Sequence, residues 1–232
     1  MNNIELDFSQ AIKSRTLDSL TYPNTPKIFL ETANSNFQYM DIDLKPFLNI
    51  PPPLNSSDKT KKEILQIKKF MSKNHSPEFT SNLKSMNKDP AKFVIDFYKN
   101  LSSKNISSKI IDFISGGDVE VLAMKLKMHY NRPRPYQIAE HYGIDFDYNK
   151  SIQNGAANHP SYPSGHTLSA YFSAKVLSFV DNRFDHELLK RAKMVADSRV
   201  IEGVHFQSDN DFSIFLVENA LMPAFIKVYG KG

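Results

Sequence analysis

The chain contains no cysteine. Disulfides, a thiolate nucleophile and any cysteine metal site are therefore excluded, and a reducing compartment is the natural expectation. No stretch of useful length alternates apolar and polar residues, so strands are not expected, and no internal repeat is visible. The opening residues, MNNIELDFSQAIKSR, carry acidic groups early and no apolar core, which argues against a secretory signal. No window reaches the roughly 18 to 20 apolar residues of a membrane helix. The most apolar late run, IFLVENALMPAFI, is interrupted by Glu218 and Asn219. The expectation is a soluble, cytoplasmic protein that does not engage a membrane, with a periplasmic home as the second choice.

What is present points to a packed globule. Across 232 residues, 41% are hydrophobic, with 17 Phe and 10 Tyr, enough for a sizeable core and unlike a disordered chain. The net charge of +4 is compatible with a small anionic ligand but is too mild to single out a nucleic acid polymer.

Residues 1–45 are polar and weakly periodic, and they read as an N-terminal extension packed on a main domain of residues 46–232. NIPPPLNSS, 49–57, is an extended connector. Beyond it the signals are helical. KTKKEILQIKKFM spaces Ile64, Leu65, Ile67, Phe70 and Met71 at close to a helical period, with its lysines on a solvated face. DPAKFVIDFYKNL opens with Asp89 as N-cap and Pro90 at the first helical position. SSKIIDFISGG ends in two glycines suited to a helix stop, and DVEVLAMKLKMHY runs until NRPRP forbids further helix. Further helices are expected over 166–180, 185–200 and 207–228. The fold class is all-α.

Three stretches stand out for their chemistry. KMHYNRPRP, 127–135, sets Arg132 and Arg134 between prolines that stiffen the segment, and a guanidinium fork suits phosphate oxygens. Alone, it reads equally as a surface loop. SYPSGHT, 161–167, places Ser164 as an N-cap at the start of a helix, where the Gly165 N–H and its neighbours favour an anion and His166 can give a proton. Alone, it is a turn into a helix. SRVIEGVHFQSD, 198–209, spaces His205 and Asp209 as neighbours on one helix face, so the carboxylate can fix the imidazole tautomer and leave Nε2 free. Gly203 would let the chain bend so that Arg199 and His205 face one pocket. Alone, this is a surface His–Asp pair. Together the three supply cations, a helix N-terminus, an oriented histidine and a second histidine, which is the inventory for metal-free phosphoryl transfer.

The order Lys127, six residues, Arg134-Pro135; Pro163-Ser164-Gly165-His166; and Ser198-Arg199, five residues, His205, three residues, Asp209 resembles the signature of the type 2 phosphatidic acid phosphatase and vanadium haloperoxidase superfamily. Lys125 with Arg132-Pro133 also satisfies the first motif, leaving two registers. HYNRPRPY, LNIPPPLNSSD and HELLKRAKMVADSRVIEGVHFQSD resemble the bacterial class A non-specific acid phosphatases within that superfamily. The likeness covers roughly residues 45–232.

The resemblance implies a compact helical bundle and a metal-independent acid phosphatase acting on small organic phosphates, nucleotides among them. It implies His205 as the nucleophile that becomes phosphohistidine, Asp209 as its orienting group and His166 as the general acid. Lys127, Arg134, Ser164, Gly165 and Arg199 would hold the phosphoryl oxygens, with Arg132 as an additional contact. No cofactor and no metal are implied; vanadate would be an inhibitor, or the cofactor if the chain were a haloperoxidase. A non-catalytic phosphate-binding protein on the same scaffold is the reading from another class. The partner is a small phosphorylated substrate, and a homo-oligomer stays open. Relatives place a cysteine where Glu202 stands here; His129 and His159 read as structural.

Overall fold

The computed structural model describes residues 13–73, 75–145 and 157–230; residues 1–12, read above for the absence of a secretory signal, lie outside the described residues. Among the described residues there is no strand. Among the described residues the helices include α1 (Lys27–Asn34), α2 (Asp58–Met71), α3 (Pro77–Lys88), α4 (Pro90–Leu101), α5 (Ser108–Ser115), α6 (Asp118–Tyr130), α7 (Pro135–Ala139), α8 (Gly165–Val180), α9 (Asp185–Ile201), α10 (Gln207–Leu216) and α11 (Met222–Tyr229). The all-α class expected from sequence is what the chain adopts.

The boundaries follow from local chemistry. Asp89 accepts a hydrogen bond from the Lys92 N–H at 2.8 Å, with Pro90 just inside α4. Gly117 adopts φ 91° between α5 and α6, a conformation costly for any residue with a Cβ. α1 and α3 are not among the expected helices. α3 nevertheless carries the usual signals, Ser76 as N-cap accepting from the Phe79 N–H and Pro77 in the first turn.

α8 is apolar around most of its circumference, as a central helix must be. Leu168, Ala170, Phe172, Ala174, Val176 and Leu177 are all fully buried on it. It packs on α9, α4, α10 and α6, and this contact organises the main core. A second cluster gathers Leu17, Ile64, Ile67, Ile138, Val200 and Phe206. Residues 204–211 run along the seam, with Phe206 in the second cluster and Phe212 in the first.

Residues 13–45 share this core: Met40 and Ile42 belong to the main cluster, Leu17 to the second. Both Asp118 oxygens accept backbone N–H groups from Gln38, Tyr39 and Met40, which ties the segment to the start of α6.

α10 and α11 are joined by a π-helical turn at Val217–Leu221 and form one helical run. The run Gln207–Tyr229 is long and apolar enough to cross a membrane by length and composition, contrary to the sequence expectation, because Glu218 and Asn219 do not interrupt the helix. Half of its most apolar window is buried in this fold, where Leu216, Val217, Leu221 and Phe225 pack in the main core.

Candidate active site

The three chemical stretches converge, and backbone hydrogen bonds join them pairwise. Ser161 donates its N–H to the Arg132 carbonyl at 2.9 Å and its hydroxyl to the Pro133 carbonyl at 3.0 Å. Ser164 donates its N–H to the Asp209 carbonyl, and the Ser213 hydroxyl donates to the Ser164 carbonyl. Arg134 donates to the Val204 carbonyl at 2.7 Å.

Arg199 sits in the last turn of α9, which ends at Gly203 with φ 72°. Both Val204 and His205 then donate their N–H to the Arg199 carbonyl at 3.2 Å, so the chain doubles back and sets His205 beside Arg199. The bend expected at Gly203 is present. The His–Asp pair takes another form than two positions on a helix face. His205 lies before the helix, and Asp209 is in the first turn of α10, accepting from His205 Nδ1 at 2.9 Å and from the Phe206 N–H at 3.0 Å through one oxygen, Oδ2. The Nδ1–H tautomer follows, because a carboxylate can only accept there.

The other Asp209 oxygen accepts from Arg132 Nη1 at 2.6 Å. Arg132 also donates to the Ser208 hydroxyl, lies against the Phe206 ring at 3.9 Å, and sits 3.6 Å from Glu63. Its Nη1 is thus committed behind Asp209, where it orients the carboxylate. Lys125 points elsewhere, donating to the Ala33 carbonyl at the end of α1. In this structure the Lys127/Arg134 register brings its side chains to His205 and the Lys125/Arg132 register does not.

Lys127 is fully buried and donates to the Pro160 and Ser161 carbonyls at 2.7 and 3.1 Å, so one of its three N–H groups remains for a ligand. Arg134 places Nη1 2.9 Å from His205 Nε2, and its Nε donates to the His159 carbonyl. Arg199 donates from Nη1 to Asn87 Oδ1 and to Glu202 Oε2, while its buried Nε and Nη2 have no hydrogen-bond partner among the described residues. Four buried cations, Lys127, Arg132, Arg134 and Arg199, meet three carboxylates, Glu63, Glu202 and Asp209. Nε and Nη2 of Arg132 likewise lack a hydrogen-bond partner among the described residues, and the excess positive charge with these unpartnered donors suits an anion.

The titration of these groups reflects their burial first and the neighbouring positive charges second. Burial, then the charges of Arg134 and Lys127, hold His205 well below the usual histidine range. Burial and Arg199 push His166 down to about 3. Lys127 is driven well below its ordinary value by burial and by Arg134, and burial lowers Arg134 to about 10. Each of these shifts is in the direction that a bound oxyanion would reverse.

His166, at the second position of α8, bonds through Nε2 to the Asn87 carbonyl at 3.1 Å. A carbonyl acceptor makes Nε2 the protonated nitrogen and leaves Nδ1 as the atom that exchanges protons with a ligand. The Gly165 and His166 N–H groups lie in the first turn, where no intrahelical acceptor precedes them. The Ser164 hydroxyl is occupied as N-cap, bonding to the Thr167 N–H and hydroxyl, so the anion donors at this terminus are backbone groups. A cleft of about 390 Å³ opens above Gly165, His166 and His205.

Asn87 and Glu63 are not singled out in the sequence, and His159, expected there as structural, borders the site. Asn87 touches Arg199 and Glu202 with its side chain and His166 with its carbonyl, and no pattern near it signals this. His159 accepts from Arg134 through both its carbonyl and Nδ1. Glu63 had a signal: it shares the buried stripe of α2 with Thr60, Ile64 and Ile67, an unusual place for a carboxylate. Its oxygens accept from the Ser208 N–H and hydroxyl, and burial raises its pKa. His129 bonds only the Leu48 carbonyl among its described hydrogen bonds, away from the cleft.

An all-helical fold thus holds a buried, carboxylate-oriented histidine close to lysine and arginine donors, an arrangement suited to a small oxyanion. Among known proteins, residues 111–217 match the model of the PAP2 superfamily. Similar proteins include the non-specific acid phosphatases of Providencia stuartii, 36% identical over 105 residues, and of Salmonella typhimurium, 38% identical over 111 residues. The matches cover 45% of this chain, and 40% and 42% of those relatives' own length.

Proposed function

We propose that the protein is a phosphomonoesterase of the acid phosphatase type, hydrolysing small organic phosphates, nucleotides among them, through a phosphohistidine and without a metal ion. The observation that carries this reading is the double engagement of His205. Asp209 fixes the proton on Nδ1, and the Nε2 lone pair faces the guanidinium of Arg134 beside a cleft that His205 itself lines. A binding site for phosphate alone has no use for a histidine whose lone pair is aimed in this way.

In the proposed cycle the phosphoryl oxygens take Arg134 away from Nε2 and accept from Arg199 Nε and Nη2, the third Lys127 N–H, and the Gly165 and His166 N–H groups. Nε2 attacks phosphorus as the ester P–O bond breaks, and the leaving oxygen takes the proton that His166 Nδ1 gained when the phosphate dianion bound. Asp209 stabilises the positive charge that develops on His205. Water then attacks phosphorus, gives a proton to His166 and frees His205 with inorganic phosphate. Vanadate, which mimics the five-coordinate phosphorus, should compete with substrate.

The test is release of inorganic phosphate from an aryl phosphate at pH 5 to 6 in chelator, comparing the unmodified protein with His205→Ala. Turnover that disappears in the variant supports the scheme. Equal turnover in both, or none in the unmodified protein, overturns it.

A further inference from the structure

One wall of the cleft comes from outside the segment shared with the PAP2 superfamily. Phe29, on α1, lines the same cleft as His166 and His205, together with Ala91 from α4 and Val119, Ala123 and Met124 from α6. The Phe29 ring stands edge-on to the His159 imidazole, centroids 4.8 Å apart at 78°. His159 in turn accepts from Arg134, so one side chain separates Phe29 from that guanidinium. α1 is held in place from α6, where Lys125 donates to the Ala33 carbonyl at 2.8 Å and lies over the Phe37 ring.

The cleft therefore has two chemistries. At His159, His166 and His205 it adjoins the buried cations and is proposed to take the phosphoryl group, while the wall formed by Phe29 and Met124 is apolar and polarisable. A volume of about 390 Å³ suits a phosphoryl group with one ring attached. A flat ring placed there can meet Phe29 and the Met124 sulfur, both of which reward aromatic contact beyond simple burial.

We propose that Phe29 is a specificity-determining residue, selecting phosphomonoesters whose alcohol is an aromatic ring over those whose alcohol is small or polyhydroxylated. This inference rests on the phosphoryl-site reading above, with the N-terminal segment completing the leaving-group side of the site.

The test uses phenylphosphonate and methylphosphonate, whose P–C bonds the proposed chemistry does not cleave, titrated calorimetrically into the full chain. The unmodified protein should bind phenylphosphonate about tenfold more tightly. Phe29→Ala should lose that preference with methylphosphonate affinity unchanged, and Phe29→Tyr should keep it. Phe29→Leu, which retains apolar bulk on α1, should also lose it and serves if the alanine variant does not fold. Equal weakening of both ligands in the leucine variant would place the effect in the His159–Arg134 contact and overturn the inference. Equal binding of both by the unmodified protein would overturn it while leaving the phosphoryl site standing. Binding of neither would overturn both.

Discussion

Arg134 Nη1 lies 2.9 Å from Nε2 of His205, so the group proposed to bind the substrate's oxygens occupies the nucleophile's lone pair before substrate arrives. The same guanidinium is anchored by the Val204 and His159 carbonyls, which fixes its plane. Arg134→Ala should lower kcat by about 10²- to 10³-fold and weaken inhibition by phosphate in parallel, since the donor acts on charge that develops at phosphorus. Arg134→Lys should not restore either quantity, because an ammonium cannot hold the two carbonyls and a phosphoryl oxygen in one planar fork. Steady-state kinetics with phosphate as competitor decides this, and a lysine variant close to unmodified activity would refute the assignment.

Asp209 is held from behind by Arg132, which is itself flanked by Glu63. Removing Arg132 leaves a buried carboxylate with one cation fewer, a change that destabilises by about 3–5 kcal/mol when no replacement partner exists. Arg132→Ala should therefore lower Tm by several degrees and reduce kcat. Glu63→Gln, which preserves shape and can still accept from Ser208, is the gentler probe: about a tenfold fall in kcat with little change in phosphate inhibition is expected. An Arg132→Ala protein with unaltered Tm would show that the relay does not hold Asp209.

Gly165 borders the cleft, and a Cβ built there would find only the Ala123 Cβ, at 4.0 Å. The protein itself thus does not require glycine, and the bare backbone serves the approach of a ligand to the α8 N-terminus. Gly165→Ala should keep or slightly raise Tm, since alanine is the better helix former, while weakening phosphate inhibition by about tenfold. Thermal melts paired with inhibition constants separate the two effects. A variant that loses stability and keeps its affinity for phosphate would reverse the argument.

Much of this site is legible in the sequence because its motifs are local. Ser164 caps a helix, Gly203 ends one, and the 205–209 spacing brings imidazole and carboxylate together, whatever the surrounding bundle does. The roles of Arg132, Asn87 and Phe29 are not legible in the same way. Arg132 and Arg134 alternate along one extended segment, and only the tertiary fold decides that the first faces Asp209 and the second faces His205. Asn87 meets Arg199 across 112 residues of chain, and Phe29 reaches the cleft from α1, a helix with no buried residue to mark it by periodicity. A helix over 207–228 is legible in the sequence, whereas the π turn at Val217–Leu221 that joins α10 to α11 is not foreseen in it.

The histidines impose a pH dependence whose sign can be worked out. His166 falls to about 3 in the folded chain from an ordinary value of 6.5, and His205 is also held well below it. Between those limits the unfolded chain binds protons that the folded chain does not, so stability is highest above about pH 6.5 and declines as pH falls through that window. Tm should drop from pH 7 to pH 4, and His166→Gln should flatten the drop by removing one of the titrating groups. Saturating phosphate should also flatten it, because a bound dianion offsets the cationic surroundings and lets His166 take up a proton. That same uptake makes the bound state competent as general acid, so turnover should be best on the acid side of neutrality and fade as the pH rises. Thermal melts across the range, with and without phosphate, test the linkage alongside a pH–rate profile. A Tm that is flat or rising toward pH 4, or a rate still climbing at pH 9, would remove His166 from the role of proton donor.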